Sequence, residues 1–383
     1  MLIRRLEPLF AERVEQLDFD LATLLGSATG FGSRANWRVL SPLHDAPFEL
    51  ADGDFHALMS ISGKLWTEVT EVGAKLGETR LQQWLEQGLL QRWQADSGEA
   101  LAHWHGASAL VHRHARWRDV DASAPENADA PRSLAEMVER YGPPPDEYLR
   151  RADARAHTPL PAPQAGALET LCSRRVTCRN FDAARPITVE TAANLLHAVF
   201  GQQARAEVTP GAFAIKKNSP SGGGLHPIEA YVLAQGVASV APGLYHYRVD
   251  AHALDLLRSS DELPSDFSLT AVAGQHWFHQ APLLVFLVAR FERSQWKYRN
   301  HPKLYRAITL EAGHLSQNLY LAATQHGLGA FITAAINEIT IEEALGLDPM
   351  QQGVLAICGI GHRAAERTTV ELDPACAVWP VAP

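Results

Sequence analysis

The stretch APLLVFLVARF at 281–291 restricts the fold of this chain more than any other. Its apolar residues do not alternate with polar ones, so both faces of the segment need cover. It is far too short to cross a bilayer, which leaves a central strand packed on both sides. The neighbouring segments alternate in type. IEAYVLA (228–234) and LYHYRV (244–249) read as strands, and VLAICGIGHR (354–363) reads as a last strand ending in glycines. ITVETAANLLHAVFG (187–201) places Leu195, Leu196, Val199 and Phe200 on one helical face. TLEAGHLSQNLYLAATQHGLGA (309–330) reads as a long helix closed by Gly327 and Gly329. ITIEEALGL (339–347) reads as a helix opened by a capping box from Thr340 to Glu343. The expectation is an α+β fold, a mixed sheet flanked by helices.

The first third differs in character. Residues 55–93 carry helical apolar spacing, with Leu81, Trp84, Leu85 and Leu89 in one stripe and Gly88 near its end. Helix, turn, helix and then GLLQRW entering a strand is a winged-helix-like pattern, with few basic residues on the second helix. That favours a peptide or partner protein over DNA. HWHGASALVHRH holds His103, His105, His112 and His114, which on a strand would share a face in pairs. No carboxylate or cysteine lies close enough to complete a metal site, so no metal is expected. From Asp119 to about Pro163 the chain is rich in proline and small polar residues, interrupted by a short helix at 133–142. It reads either as a linker or as an ordered strap. The expected division is 1–117, winged-helix-like; 118–165, proline-rich linker; and 166–383, the catalytic domain.

Charge and cysteine usage exclude several classes. Basic residues number 34 and acidic ones 43, a net charge of −9, which argues against a broad nucleic-acid surface. The first twenty residues are charged throughout and lack the apolar core of a signal peptide, so a cytoplasmic location away from membranes is expected. Cys172, Cys178, Cys358 and Cys376 show no Cys-x-x-Cys spacing, so neither a zinc knuckle nor a redox pair is indicated.

Two stretches carry chemistry. In KKNSPSGGGLHPIEAYVL (216–233), Gly222, Gly223 and Gly224 follow Pro220-Ser221. A Walker loop would continue with Gly-Lys-Ser/Thr and a helix, whereas Leu225-His226-Pro227 and a strand follow here. The run is therefore a loop whose backbone can approach something flat or bulky. In SRRVTCRNF (173–181), extended backbone would place Arg175, Thr177 and Arg179 on one face and Cys178 on the other. Two guanidiniums around a hydroxyl suit a phosphate or a polyhydroxyl chain, and Arg363 after the last strand adds a third cation.

These motifs resemble the nitroreductase fold, in particular the streptolysin-type dehydrogenase branch that includes microcin-type azoline oxidases. Arg175 to Phe181 match Arg-x-Ser/Thr-x-Arg-x-Phe, and Pro220 to Glu229 match the Pro-Ser-Gly-rich signature. Lys297-Tyr298, Glu311 to His314 and Gly327 to Gly329 follow in the family's order, over about 165–365. Val176 stands where many members carry a second Arg or a small polar residue. The resemblance implies FMN held non-covalently in a homodimer. Arg175, Thr177 and Arg179 would hold the ribityl-phosphate tail, with Arg363 at the phosphate. Pro220, Ser221 and the three glycines would line the isoalloxazine edge, and the backbone at Ala334-Ala335 would face the hydride-accepting nitrogen.

Desaturation also needs a proton acceptor, for which Lys297-Tyr298 is the candidate pair, Lys297 favoured. Both side chains have ordinary pKa values near ~10, so burial or Arg299 would have to lower the lysine's. His314 reads as a core residue of its helix, and His226 as packing or touching substrate. The expected function is an FMN-dependent dehydrogenase that matures a ribosomally made peptide, converting azolines to azoles. Its expected partners are the precursor peptide and a cyclodehydratase or other modifying enzyme. The alternatives are an NAD(P)H-dependent reductase of nitro compounds, quinones or dehydroamino acids, and a catalytically idle peptide-binding scaffold.

Overall fold

The computed structural model describes residues 1–19, 25, 31–93, 101–124 and 133–380. Its chain divides into two compact units. The first takes in Met1–Arg116, Arg290–Ile308 and Leu347–Gly353, and the second holds Trp117–Ala289, Thr309–Gly346 and Val354–Pro383.

In the first unit β1 (Leu2–Arg5) is the centre of a three-stranded sheet. β2 (Phe10–Phe19), β3 (Phe31–Leu40) and β4 (Phe48–Ala51) form an antiparallel meander in which Phe10 pairs with Leu40. Helix α1 (Asp52–Met59) and β5 (Thr67–Glu68) precede α2 (Val69–Leu76) and α3 (Glu78–Glu86). β6 (Leu90–Arg92) then returns to β1, which pairs with both β5 and β6. Leu81 and Trp84 of α3, with Leu89 just beyond it, are buried in the core with Ile3, Val39 and Leu58. Gly88, at φ 65°, takes the left-handed turn that lets the chain leave α3 for β6.

The histidine-rich stretch corrects the expectation of a strand. It forms α4 (Gly106–His114), because Ala109 and His112, three apart, share the buried face. His112 stacks on Trp104 at 5.4 Å, and its Nε2 donates to the carbonyl of Pro349 at 2.8 Å. Burial pushes its pKa down to about 4, so it is a neutral core residue. Among the described residues no cluster of His, Cys, Asp or Glu could hold a metal ion.

The second unit begins with an anchored segment. Arg118 forms a bidentate pair with Glu343, and the backbone N–H of Val120 donates to Asn337 at 2.9 Å. Helix α5 (Leu134–Tyr141) follows, with Ser133 as its N-cap, and residues 143–166 are exposed without helix or strand. Then come α6 (Ala167–Ser173), α7 (Val189–Phe200) and the exposed ribbon of β7 (Ala204–Thr209) and β8 (Ala212–Lys216). β9 (Ile228–Ala234), β10 (Gly243–Arg248), β11 (Ala253–Ser259) and β12 (Leu283–Arg290) belong to the main sheet. Helix α8 (Leu304–Gln325) enters this unit at Thr309 and precedes β13 (Gly329–Thr333), α9 (Glu338–Leu345) and β14 (Gln352–Gly361).

The sheet order is β11-β10-β9-β12-β14-β13. The uninterrupted apolar run is thus an inner strand, and Leu283 to Ala289 are buried on both faces, as expected. Two details differ from the sequence reading. Helix α9 starts two residues before Thr340, with Asn337 at its cap, so Thr340 is interior and no capping box forms. Asn337 wins that place because its amide also bonds the Val120 and Thr270 carbonyls. Gly327, at φ 71°, does close α8, but Gly329 is the first residue of β13. A Cβ there would lie 2.6 Å from the Cys178 sulfur, so close approach demands that glycine.

Candidate active site

Residues 175–181 run extended beside β13, through a parallel bridge from Thr177 to Ala330 and a bond from Cys178 N to Ala330 O at 2.8 Å. Val176 and Cys178 are buried, while Arg175, Thr177 and Arg179 stay half-exposed, which is the expected alternation. Burial pushes the Cys178 thiol up to about 12, so it packs as a small apolar group. The Arg175 guanidinium lies 5.2 Å from the Tyr320 ring, and Thr177 Oγ1 is 3.1 Å from the Tyr320 hydroxyl. Arg179 lies 5.9 Å from the Phe278 ring. Among the described residues neither Arg175 nor Arg179 forms an ion pair, so two desolvated aromatic faces orient two uncompensated cations.

Arg363 is placed differently. Its guanidinium donates to Glu371 at 2.6 Å and to the Val176 carbonyl. Glu371 is fully buried and also receives the backbone N–H groups of Arg179 and Asn180, the Asn180 amide and Trp379 Nε1. Burial alone would raise its pKa; the bonds from Arg179, Trp379 and Asn180, with the Arg363 charge, outweigh that and hold it low. Arg363 is therefore the cation of a closed corner that fastens the segment Thr368–Trp379 to the Arg175–Phe181 stretch.

The glycine run folds as one turn of 3-10 helix, with Gly223 at φ 68°, Gly224 at φ 69° and His226 at φ 48°. A Cβ at Gly224 would meet nothing within 4 Å, so that side of the turn is open. Ser221 Oγ accepts from His226 N at 2.8 Å, and Asn318 donates to Ser219 at 2.7 Å. His226 is buried against the turn. Asn318 and Tyr320 are two residues apart on α8, so this helix pins both the arginine stretch and the glycine turn. Sequence reasoning did not single out Asn318, Tyr320, Glu371 or Lys217; each acts through a partner distant along the chain. A lysine that is only 3% exposed, two residues before Ser219, is apparent only once the fold is known.

The remaining candidates are less defined by their surroundings. Ala334 is exposed just after β13, and Ala335 is held by its N–H donating to Thr333 Oγ1 and its carbonyl accepting from Gln275. Lys297 and Tyr298 belong to the first unit. Lys297 is exposed, with its ammonium 5.4 Å from the Tyr298 ring, so the burial expected around it is not found in the single chain. His314 is exposed on α8, which corrects the expectation of a core histidine; the neighbouring Ala312, Leu315 and Ser316 take the inner face.

Residues 172–362 match the nitroreductase family. The chain thus carries a nitroreductase family domain, and its α+β fold is that of the family. The trifolitoxin-processing protein TfxB of Rhizobium leguminosarum bv. trifolii is 33% identical over 144 residues, covering 37% of this chain and 38% of that protein. The microcin B17-processing protein McbC of Escherichia coli is 26% identical over 173 residues, covering 44% of this chain and 60% of that protein. Among solved structures, the E. coli microcin synthetase McbBCD complex with truncated pro-MccB17 aligns with a TM-score of 0.48 at 22% identity, covering 64% of this chain and 89% of that one. The relatives named here are thus peptide-processing proteins, of whose length this chain spans about two fifths and three fifths. Among the described residues no helix is long and apolar enough to cross a membrane.

Proposed function

We propose that this protein is an FMN-dependent dehydrogenase that matures a ribosomally made peptide by oxidising azolines to azoles. The observation that carries the reading is that one helix, α8, meets both the arginine stretch, through Tyr320 against Arg175 and Thr177, and the glycine turn, through Asn318 on Ser219, and that the turn's side at Gly224 is open. Arg175 and Arg179, half-exposed and without an ion pair among the described residues, fit a phosphate, Arg179 also donating to the Val370 carbonyl. The open face at Gly224 fits a planar ring approaching backbone. The names of the two processing relatives supply the substrate class.

When bound, FMN supplies a hydride acceptor. The chain supplies everything else. Arg175 and Arg179 would hold the phosphate, Thr177 would bond the ribityl chain, and Pro220 to Gly224 would present backbone to the ring edge. Arg363 acts at one remove, by holding the corner that shapes the Arg175–Phe181 stretch. The Ala334-Ala335 backbone follows β13 and is stiffened by Gln275 and Thr333; a backbone N–H of this stretch would face the cofactor, the Ala335 N–H being shared with Thr333 Oγ1. Lys297 or Tyr298 takes the substrate proton, and a working lysine base there needs desolvation by the peptide or a second copy. The assembly is a homodimer in the cytoplasm, served by a cyclodehydratase or similar enzyme that forms the azoline, with the first unit binding peptide or that partner.

The test is direct. Purified protein should be yellow or take up FMN, and should remove two hydrogens from a thiazoline-bearing peptide with oxygen present and NAD(P)H absent. Lys297→Ala and Tyr298→Phe, made separately, should stay yellow; at least one should lose turnover by about 100-fold or more. Rapid bleaching of the flavin by NADPH alone would replace this reading with a reductase.

A further inference from the structure

Residues 364–380 form only turns and bends, yet this strap is held by three buried polar side chains, Asn180, Glu371 and Asp373. Asn180 is 4% exposed and commits its whole amide to the strap. Its Oδ1 accepts from the Thr368 N–H at 2.8 Å, the Thr368 hydroxyl at 3.1 Å and the Thr369 N–H at 2.7 Å. Its Nδ2 donates to the Thr369 carbonyl at 2.8 Å and to Glu371 at 2.9 Å. The Asn180 carbonyl accepts from the Ala364 N–H as well. Asp373 receives the N–H groups of Ala377, Val378 and Trp379, which turns the strap back until Trp379 Nε1 reaches Glu371 at 2.7 Å. A segment without a ladder of its own has to satisfy its backbone on side chains, and this one does.

What the strap meets is Arg179, the residue before Asn180. The Arg179 N–H donates to Glu371, its Nη1 lies 3.5 Å from the Val370 carbonyl, and its guanidinium is 5.9 Å from the Phe278 ring. A long side chain gives up rotamer freedom when it is aimed, and one carbonyl at 3.5 Å is a weak hold. The aim has to come from a fixed backbone beneath it. We propose that Asn180 is a positioning residue for the cofactor phosphate: it locks the strap 368–379 against the Arg175–Phe181 stretch and so fixes the direction of Arg179. The inference rests on the FMN reading above and makes the strap one wall of the phosphate subsite. A merely structural Asn180 would matter equally to every flavin; a positioning one matters to the flavin that carries a phosphate.

The experiment titrates apoprotein with FMN and with riboflavin, which has the same ring and ribityl chain but no phosphate, and compares the two affinities. The variants are Asn180→Ala, Arg179→Ala, the two together, and Leu372→Ala as an exposed residue of the strap. Asn180→Ala should weaken FMN binding about tenfold and riboflavin binding by less than about twofold. Once Arg179→Ala is in place, adding Asn180→Ala should change the FMN-to-riboflavin ratio no further, because the asparagine acts through the arginine. Leu372→Ala should keep the wild-type ratio. Should Asn180→Ala fail to fold, Thr368→Ala combined with Trp379→Phe, which removes one bond at each end of the strap, must still lower the ratio about threefold. An unchanged ratio, equal loss for both flavins, an Asn180→Ala effect that persists without Arg179, or an equal drop in Leu372→Ala overturns this inference alone. Wild-type protein that takes up no FMN removes the proposed function, and this inference with it.

Discussion

Two buried carboxylates, Glu371 and Glu311, sit in the same unit and respond to burial in opposite ways. Glu371 collects five donors and the Arg363 charge, and its pKa is held low in spite of burial. At Glu311 burial outweighs the influence of Ser221, Lys217 and Ile228 and pushes the carboxyl up to about 6. Depth alone therefore does not decide ionisation. The first corner is built to stay shut.

The comparison breaks most visibly at Glu371. Glu371→Ala leaves the half-buried Arg363 without its carboxylate, and should cost about 3–5 kcal/mol in denaturant unfolding. A loss below about 1 kcal/mol would mean that the corner is not the fastening described. The two sites should also separate by pH. Glu371, depressed in the fold, stabilises above its ordinary value and loses that contribution as pH falls through its folded pKa. Glu311 is raised from 4.5 to about 6, so its contribution is complete below 4.5 and lost as pH rises through about 6. That rise corresponds to about 2 kcal/mol. Stability measured against pH should therefore lose a declining step between 4.5 and 6 in Glu311→Gln. An unchanged profile would show that Glu311 is not the group titrating there.

The arginines extend the contrast. Arg175→Ala and Arg179→Ala should each weaken FMN binding about tenfold or more, with little change in melting temperature. Arg363→Ala should do the reverse, lowering stability first. If Arg363→Ala weakens flavin binding as strongly without destabilising the apoprotein, Arg363 touches the phosphate itself. The smallest effect belongs to Gly224→Ala. Space is open there, so only the left-handed φ of 69° opposes it, costing about 1 kcal/mol in thermal unfolding.

What was legible in the sequence follows from the range of the interactions involved. The inner strand β12 could be read because nine apolar residues in a row admit few other places. The half-exposed face of Arg175, Thr177 and Arg179 could be read because extended backbone alternates its side chains. The His-rich helix could not: Ala109 and His112 show their helical spacing only when a histidine is allowed into the core, where Trp104 and Pro349 receive it. Thr340 was mistaken for a cap because Asn337 competes for that place through bonds to Val120 and Thr270, far away in sequence. Glu371 lies about 190 residues from the backbone it fastens, and no local pattern announces such a contact.

The account stands on α8 meeting both the Arg175–Phe181 stretch and the glycine turn, and one titration tests it most directly. Apoprotein mixed with FMN should quench the flavin's fluorescence up to a stoichiometric end point, and Arg175→Ala with Arg179→Ala should abolish that end point at the same concentrations. A wild-type protein that leaves FMN fluorescence unchanged, or a double variant that binds FMN as tightly as the wild type, would contradict it.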